Sequence, residues 1–185
     1  MSAQSNSVPQ SGDDNREAFR AAMRDLAGSV SVISTGVGLA RTGLTATSVS
    51  SLSMDPPSIL VCINRLSSVL PVLVDHGAFG VNVLAAGHRH IADRFAGRDG
   101  IRGAARYAGE AWITLVTGAP LLADALAAVD CSLERTIEWY SHLVIIGRVR
   151  AVHLNGGASP LVYWRGGYDQ LNSSRPHLQM MQGSG

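Results

Sequence analysis

The sequence predicts a mainly β fold with flanking helices, an antiparallel barrel in one domain, and two observations carry that prediction. The C-terminal half contains successive strand-like segments without long helices between them, which argues against alternating strand–helix units. The chain has 185 residues and is 46% hydrophobic, enough for one sizeable core. We place the domain at residues 14–175, with a disordered lead at 1–13 and a flexible tail at 176–185.

The first half is read from the spacing of its apolar residues. Helical spacing predicts a helix that ends before Gly28, and alternation predicts the strand that follows it. The stretch GLTATSVSSLSMDPP, Gly43 to Pro57, indicates one long strand, and SILVCIN is typical of a strand buried on both faces. The expected elements are a helix at 14–27, a strand at 29–35, a glycine-rich turn at 36–43, and strands at 43–55 and 58–64.

The second half follows by the same criteria. Two short helices are expected, of which the first tolerates Pro71 near its start and the second is closed by Gly97. A glycine-rich segment after the second helix predicts a mobile loop. The elements are helices at 66–75 and 88–96, the loop at 98–111, and strands at 78–84, 111–116, 125–139, 142–154 and 160–166.

Composition excludes several classes of function. The net charge is +1 with no basic stripe, which argues against nucleic acid as a partner. No apolar run reaches the roughly 18 residues of a membrane span, and the polar N-terminus predicts no signal peptide. Every basic residue is Arg, so pyridoxal Schiff-base and P-loop chemistry lack their lysine. Cys62 and Cys131 are expected to be buried free thiols of a cytoplasmic protein.

Two motifs mislead. GVGLAR nearly matches a dinucleotide fingerprint, but it lacks the third glycine and precedes a strand, so we interpret it as a hairpin turn. His88 and His90 lie two residues apart on a predicted helix and face different directions, which favours surface histidines over a metal pair. No zinc-hydrolase or serine-esterase motif occurs, and we predict no metal site.

The strand of small hydroxyl side chains is the first candidate for a ligand site. On an extended strand Thr45 and Thr47 share one face, and Ala46 and Ser48 share the other. Small side chains allow a flat ligand to approach the backbone. The alternative is an ordinary solvated strand face, which composition alone favours about two to one.

A helix start lies directly after the next strand and strengthens the hypothesis. Ser67 and Ser68 stand where amide groups and a partial positive charge favour a phosphate, and Arg65 adds charge. The alternative is a plain serine N-cap. The combination of a small-residue strand for a ring system and a helix start for a phosphate favours function.

The other candidates are single residues. Asn82 lies inside an apolar strand and must bond either a ligand or a neighbouring loop. His142 opens a strand after a hairpin loop and is functional only if it faces the ligand. Tyr163, Arg165 and Tyr168 either line a pocket or pack a C-terminal hairpin.

From about Phe19 to Leu171, the chain resembles the short-chain flavin reductases, the reductase components of two-component flavin monooxygenases such as that of 4-hydroxyphenylacetate 3-monooxygenase. No single landmark is specific, but their order and spacing together are. The landmarks are FRAAM, GLTATSVSSLSMDPPSILVCINRLSS, FGVNVL, IADRFAG, HLVIIGRV and PLVYWRGGY.

The resemblance implies a fold, an activity and a set of site residues. It implies an FMN-binding split β-barrel, usually a homodimer, in which NADH or NADPH reduces FMN or FAD and the reduced flavin passes to a partner monooxygenase. His142 is expected near the nicotinamide, Ser67 and Ser68 at the phosphate, and Tyr168 on the closing hairpin. The other residues that the resemblance brings to the flavin are Thr45, Ala46, Thr47, Ser48, Cys62, Ile63, Asn64, Asn82, Val83 and Phe95.

The sequence departs from the family pattern just before the histidine. The family often has Gly-Asp there, whereas this chain has Tyr140 and Ser141, so the shape of the loop and the nicotinamide preference stay open. A split barrel that keeps its flavin and oxidises another substrate is the first alternative. A flavin- or haem-binding module without turnover is the second, since a fold does not fix a function.

Overall fold

The computed structural model describes residues 12–171. Residues 1–11 of the expected lead, residues 172–175 of the expected domain and the expected tail at 176–185 lie outside the described residues, whereas residues 12–13 of the expected lead belong to the first helix. The helices are α1 (Gly12–Asp25), α2 (Val69–His76) and α3 (Arg89–Phe95), with 3₁₀ turns at Gly38–Ala40, Ala86–His88 and Gly103–Tyr107. The strands are β1 (Gly28–Ser29), β2 (Ser31–Thr35), β3 (Thr42–Ala46), β4 (Val49–Met54), β5 (Pro57–Asn64), β6 (Ala78–Val83), β7 (Trp112–Ile113), β8 (Leu121–Leu122), β9 (Ala127–Trp139), β10 (His142–Leu154), β11 (Leu161–Trp164) and β12 (Gly167–Gln170).

The main sheet is rolled rather than flat. Its order is β3-β2-β6-β9-β10-β5-β4, so its two edge strands follow one another in the chain. Seven strands at about 4.8 Å spacing span about 29 Å when flat. The three chain steps from Ala46 to Val49 reach no more than about 11 Å, so the two edges must curl towards each other. All the pairs in this sheet are antiparallel, and the prediction of a mainly β fold with flanking helices is confirmed.

The prediction of one long strand at 43–55 is wrong. The chain leaves the sheet at Thr47 and Ser48, β3 pairs with β2, and β4 pairs with β5. The strict alternation of faces through Val49 therefore does not hold. Ser48 instead holds the junction against the neighbouring strand, since its hydroxyl donates to the carbonyl of Cys62 at 2.8 Å and its carbonyl accepts from the Cys62 amide at 3.3 Å.

Strand β5 is also less enclosed than predicted. Val61 and Ile63 are buried in the core, whereas Leu60 and Cys62 point to the other face and are only half-buried. Only the face that carries Val61 and Ile63 packs in the core cluster. Both cysteines are free; Cys131 is buried, and burial raises the pKa of its thiol to about 12.

The segment after α3 is anchored by an aromatic residue. Tyr107 is 2% exposed, its hydroxyl donates to the carbonyl of Thr42 at 2.5 Å, and its ring packs edge-on against Phe95 and Trp112. These contacts contradict the prediction of a mobile loop throughout residues 98–111. They fix the 3₁₀ turn Gly103–Tyr107 beside β3 and so build one wall of the site described next.

Candidate functional site

A cavity of about 360 Å³ lies where β3, the start of α2 and the end of α3 meet the segment after α3. Among the predicted site residues it gathers Ser67, Ser68 and Phe95. We call it the polar cavity. Its other lining residues are Thr42, Leu44, Leu66, Val69, Ala96, Gly97, Gly100, Ile101, Arg102, Gly103 and Arg106.

Ser67 and Ser68 make different contacts at the start of α2. The Ser67 hydroxyl accepts from the amide of Val69 at 3.3 Å, and the Ser67 carbonyl accepts from the amide of Leu70 at 3.2 Å. Ser68 is exposed and makes no side-chain cap hydrogen bond. Pro71 has no amide hydrogen, so the first turn offers fewer free donors than the sequence suggested. An anion here therefore depends mainly on hydroxyl and guanidinium groups.

Two arginines supply the charge of the polar cavity. The Arg106 guanidinium donates to the carbonyls of Gly43 at 2.6 Å and Ile101 at 2.9 Å, so it is held firmly at the wall. Arg102 is exposed at the rim. Sequence reasoning missed both because they lie in the segment that was taken as a mobile loop. Arg65, which was expected to add charge, is instead paired with Glu138 at 3.2 Å.

A second cavity of about 210 Å³ adjoins the polar cavity and shares Ala96 with it. It brings together Thr45, Ala46 and Thr47 of the small-residue stretch with Tyr168 of the β11–β12 hairpin. We call it the strand cavity. The Thr45 hydroxyl donates to the carbonyl of Ala92 at 2.7 Å, so this side chain is turned towards α3. Val30, Arg98 and Tyr163 complete its lining.

Tyr163 and Tyr168 form the aromatic side of the strand cavity and also pack together on the β11–β12 hairpin, so the two alternatives for these tyrosines are not exclusive. Tyr163 and Tyr168 face each other across β11 and β12 with ring centroids 5.5 Å apart. The guanidinium of Arg98, itself held by Asp93 at 2.7 Å, lies 5.1 Å from the Tyr168 ring. Burial raises the pKa of Tyr168, so its hydroxyl is neutral and can donate a hydrogen bond at neutral pH.

His142 lies on a row of residues at the outer face of the sheet. It pairs with Asn64 across β10 and β5, and Cys62 pairs with Val144 two residues along. His142 and Asn64 are exposed, and the Ser141 hydroxyl lies 2.9 Å from His142 Nδ1. Asn64 is engaged locally, since its side-chain oxygen accepts from the amide of Leu66 at 2.9 Å. The row places His142 close to the helix start that carries Ser67.

The loop before His142 explains how the departure from the family pattern is accommodated. Tyr140 has a φ of +46°, in the left-handed region where glycine is favoured. A glycine at this position is therefore what the backbone prefers, and tyrosine adopts it at some cost in strain. The Tyr140 ring packs edge-on against Trp139 at 5.3 Å, and both rings are largely exposed.

Asn82 lies in the interior of the fold. It is fully buried, and its amide nitrogen donates to the carbonyl of Val32 at 3.0 Å and to the Ser34 hydroxyl at 2.9 Å. Its oxygen accepts from the amide of Leu122 at 2.7 Å. These three partners lie on strands β2 and β8, so the Asn82 side chain is bonded within the fold rather than to a neighbouring loop, and its contact with a cofactor stays a prediction.

Three further predicted residues lie at the margins of the site or outside it. Ile63 is 2% exposed, packs in the core and lines neither the polar cavity nor the strand cavity. Val83 is half-buried in β6 and lines none of the cavities described here. Phe95 forms the floor of the polar cavity and is 2% exposed. A Cβ on Gly43 would lie 2.7 Å from the Phe95 ring, so only glycine allows this close approach.

The hydrogen-bond donors and the open space of the two cavities fit a flavin. Ser68 and Arg102 present a free hydroxyl and a cation to a phosphate, while Thr45, Ala46 and Thr47 leave room for a flat ring beside backbone groups. The shared residue Ala96 makes the two cavities neighbours, as a ligand with a ring at one end and a phosphate at the other requires. Within residues 12–171 we find no group of three or more side chains suited to hold a metal ion. Over the same span, no helix is both long enough and apolar enough to cross a membrane.

Comparison with known proteins gives relatives along most of the chain. The chain is 44% identical over 146 residues to the FMN reductase (NADH) RutF 2 of Methylorubrum extorquens, covering 79% of this chain and 84% of that protein. It is 37% identical over 159 residues to the FMN reductase (NADH) RutF of Stutzerimonas stutzeri, covering 86% and 90%.

Solved structures agree. BorF, the flavin reductase component of a bacterial two-component tryptophan halogenase, matches with a TM-score of 0.77 and 33% identity over 84% of this chain and 98% of BorF. The NADH:FAD oxidoreductase SgcE6 of Streptomyces globisporus, in complex with NAD and FAD fragments, matches with a TM-score of 0.79 and 25% identity over 91% of this chain and all of that one. The model of the flavin reductase like domain matches residues 23–172, and the chain therefore belongs to that family.

Proposed function

We propose that this protein is an NAD(P)H-dependent flavin reductase that transfers a hydride to FMN or FAD and releases reduced flavin to a partner monooxygenase. The observation that carries the proposal is the pair of adjoining cavities, one bounded by the small residues of β3 and the other by hydroxyl and guanidinium groups. A bound flavin supplies the electron-accepting ring; the protein supplies its position.

The residues that hold the flavin have separable tasks. Ser68 and Arg102, with the anchored Arg106, bind the phosphate end. Ala46 and Thr47 keep the approach to the β3 backbone open, so that main-chain groups contact the ring edge where negative charge grows. Tyr168 bounds the strand cavity from the hairpin side. Holding the two reactants in stacking geometry is the main contribution to rate.

His142 positions the second substrate rather than moving a proton. Hydride transfer needs no proton-transfer residue, and His142 is exposed beside Asn64, where a ligand can reach it. The Ser141 hydroxyl fixes one ring nitrogen, which leaves Nε2 for the ligand.

We infer FMN and NADH as the working pair. The supporting observation is that the relatives at 44% and 37% identity are both described as FMN reductases that use NADH. The neighbour with FAD fragments shows that a related fold takes the larger flavin. The free thiols are consistent with work in the cytoplasm.

We also infer a homodimer built on the outer face of β5, β9 and β10. Leu60, Val144 and Ile146 lie on this face, half-buried and outside both core clusters, and Ile137 is 43% exposed beside them. The same face carries His142, so a partner subunit would enclose the row that holds it. Ile146→Asp is expected to give monomers in sedimentation at micromolar concentration, whereas Leu39→Asp, also apolar and exposed but away from this face, is not.

The decisive experiment mixes the protein with NADH and excess free FMN and follows the nicotinamide absorbance. Catalytic loss of NADH over many turnovers supports the reductase. One equivalent of NADH consumed by a tightly held flavin would favour the alternative that oxidises another substrate. A protein that binds flavin or haem without consuming NADH would favour the binding module and contradict the proposal.

A further inference from the structure

A third cavity, of about 290 Å³, lies under α1 and is lined by arginines. Arg20 and Arg24 of the helix face Arg165 and Gly166 of the β11–β12 turn across it. We call it the α1 cavity. Met23, Leu26, Thr47 and Tyr163 complete its lining.

The helix is tied in place from the opposite wall. The Arg165 amide donates to the carbonyl of Arg24 at 3.0 Å, and the Arg165 guanidinium is paired with Asp25 at 2.6 Å. These contacts hold the last turn of α1, which carries Arg24, beside the cavity.

The charges of Arg20 and Arg24 have no counterion within residues 12–171. They stand four residues apart on one helix face, where two like charges repel each other. The described ion pairs include Arg165 with Asp25 but neither of these two arginines. Both side chains are exposed, so water solvates them in the free protein and they are available to an anion that enters the cavity between them.

The α1 cavity continues the strand cavity. The two share Thr47 and Tyr163, whereas the polar cavity meets the strand cavity at Ala96. A ring held in the strand cavity therefore lies between two cavities that carry arginines: the polar cavity, next to Ala96, and the α1 cavity, next to Thr47 and Tyr163. The flavin phosphate accounts for one of them, and the second is left for the other substrate.

We propose that the α1 cavity binds the diphosphate of the nicotinamide dinucleotide, with Arg20 and Arg24 as its ligands. The proposal rests on the reductase function above and adds to it a binding site for the second substrate. One ribose separates the nicotinamide from the diphosphate, so a nicotinamide beside Thr47 brings the diphosphate to the neighbouring cavity. The two negative charges of the diphosphate match the two arginine cations.

The test compares two electron donors on the intact protein with saturating FMN. NADH carries the diphosphate, whereas 1-benzyl-1,4-dihydronicotinamide carries the same reducing ring without any phosphate. For the double variant Arg20→Gln/Arg24→Gln we expect KM for NADH to rise about tenfold at low salt, the loss of two exposed charge-assisted contacts. Its rate with the benzyl compound and its affinity for FMN are expected to stay at the wild-type values.

Arg16→Gln is the matched control, since it removes the same charge from the same helix and Arg16 does not line the cavity. Adenosine diphosphate provides a second readout: it is expected to compete with NADH in the wild type and in Arg16→Gln, but far less in the double variant.

An unchanged KM for NADH in the double variant would overturn the proposal while leaving the reductase function intact. An equal loss with both donors would also overturn it, because a diphosphate site cannot affect a donor without phosphate. Failure of the wild type with both donors would instead contradict the proposed function itself.

Discussion

Asn82 and Asp130 in the interior of this domain are hydrogen-bonded within the fold, whereas several polar side chains at the rim of the cavities are not. In the interior, the Asn82 side chain is hydrogen-bonded to Val32 and Ser34 of β2 and to Leu122 of β8, and the buried carboxylate of Asp130 accepts from the amide and hydroxyl of Thr117. At the rim, Ser68 makes no side-chain cap hydrogen bond, and Arg20 and Arg24 have no ion pair within residues 12–171. Burial is the physical difference between the two regions.

The difference is a guide to function. A buried polar group without partners costs about 1–3 kcal/mol, and the bonds of Asn82 and Asp130 avoid that cost. An exposed group remains solvated at little cost and is available to a ligand. The candidate site is therefore to be sought among polar groups that the fold leaves free rather than among those that it uses.

The largest expected effect is in the interior. Asn82→Ala removes one side chain that bonds three groups and leaves the amide of Leu122 and the carbonyl of Val32 without their partner. We expect the free energy of unfolding in urea to fall by about 3 kcal/mol. FMN affinity, measured where the variant is folded, is expected to stay at the wild-type value.

Asn64→Ala is the matched control, because that side chain is exposed and bonds only the amide of Leu66. Its stability should change by about 0.5 kcal/mol or less. A stable Asn82→Ala protein with weakened FMN binding would mean that Asn82 contacts the flavin. It would contradict the distinction drawn here between the interior and the rim.

The second prediction tests the strand cavity. Ala46→Leu adds three carbons to the strand cavity of about 210 Å³, which narrows the space left for a flat ring beside Tyr168 and Ala96. We expect FMN affinity to fall by about 2 kcal/mol, within the range of the steric cost of extra methylenes in a filled site, while the fold persists. Equilibrium titration of FMN fluorescence measures the change. Wild-type affinity would show that the ring lies elsewhere.

The sequence predicted the fold class because alternation and turn residues are local signals. The long strands β9 and β10 match the predicted segments 125–139 and 142–154 closely. The break at Thr47 and Ser48 was missed, since nothing local distinguishes a straight strand from one that changes partners at a sheet edge. Tertiary pairing with β2 and then β5 decides it.

Part of the candidate site was also predicted from local sequence patterns. Ser67, Ser68 and the stretch from Thr45 to Thr47 carry a local pattern, and the structure brings them to two adjoining cavities. Arg102, Arg106 and the arginines of α1 carry no such pattern, because only the folded chain places them at a cavity. The partners of Asn82 could not be predicted, because a buried asparagine gives the same sequence pattern whether it bonds a ligand, a loop or, as here, strands β2 and β8.

The third prediction separates the two serines. Ser68→Ala removes a free hydroxyl from the polar cavity, so FMN affinity is expected to fall by about 1–2 kcal/mol while riboflavin affinity is unchanged. Ser67→Ala removes the oxygen that accepts from Val69, and its main effect is expected on stability. Thermal unfolding and flavin titration of both variants check this. Equal losses for FMN and riboflavin in Ser68→Ala would mean that the hydroxyl does not meet the phosphate.

The smallest expected effect concerns His142, which lies at the rim and bonds only the neighbouring Ser141 side chain among described side chains. If it positions the nicotinamide, His142→Ala should leave FMN affinity and stability unchanged and lower kcat/KM for NADH by about 1 kcal/mol, one lost contact. Stopped-flow reduction of the FMN-loaded variant at several NADH concentrations measures this.

Ser141→Ala is the companion variant, because it frees the imidazole without removing it and should produce a smaller loss in the same direction. A His142→Ala protein that is less stable and binds both ligands poorly would assign the histidine to the hairpin rather than to the site. Unchanged reduction at every NADH concentration would contradict the role altogether, since a residue that contacts the nicotinamide cannot be removed without changing its reaction.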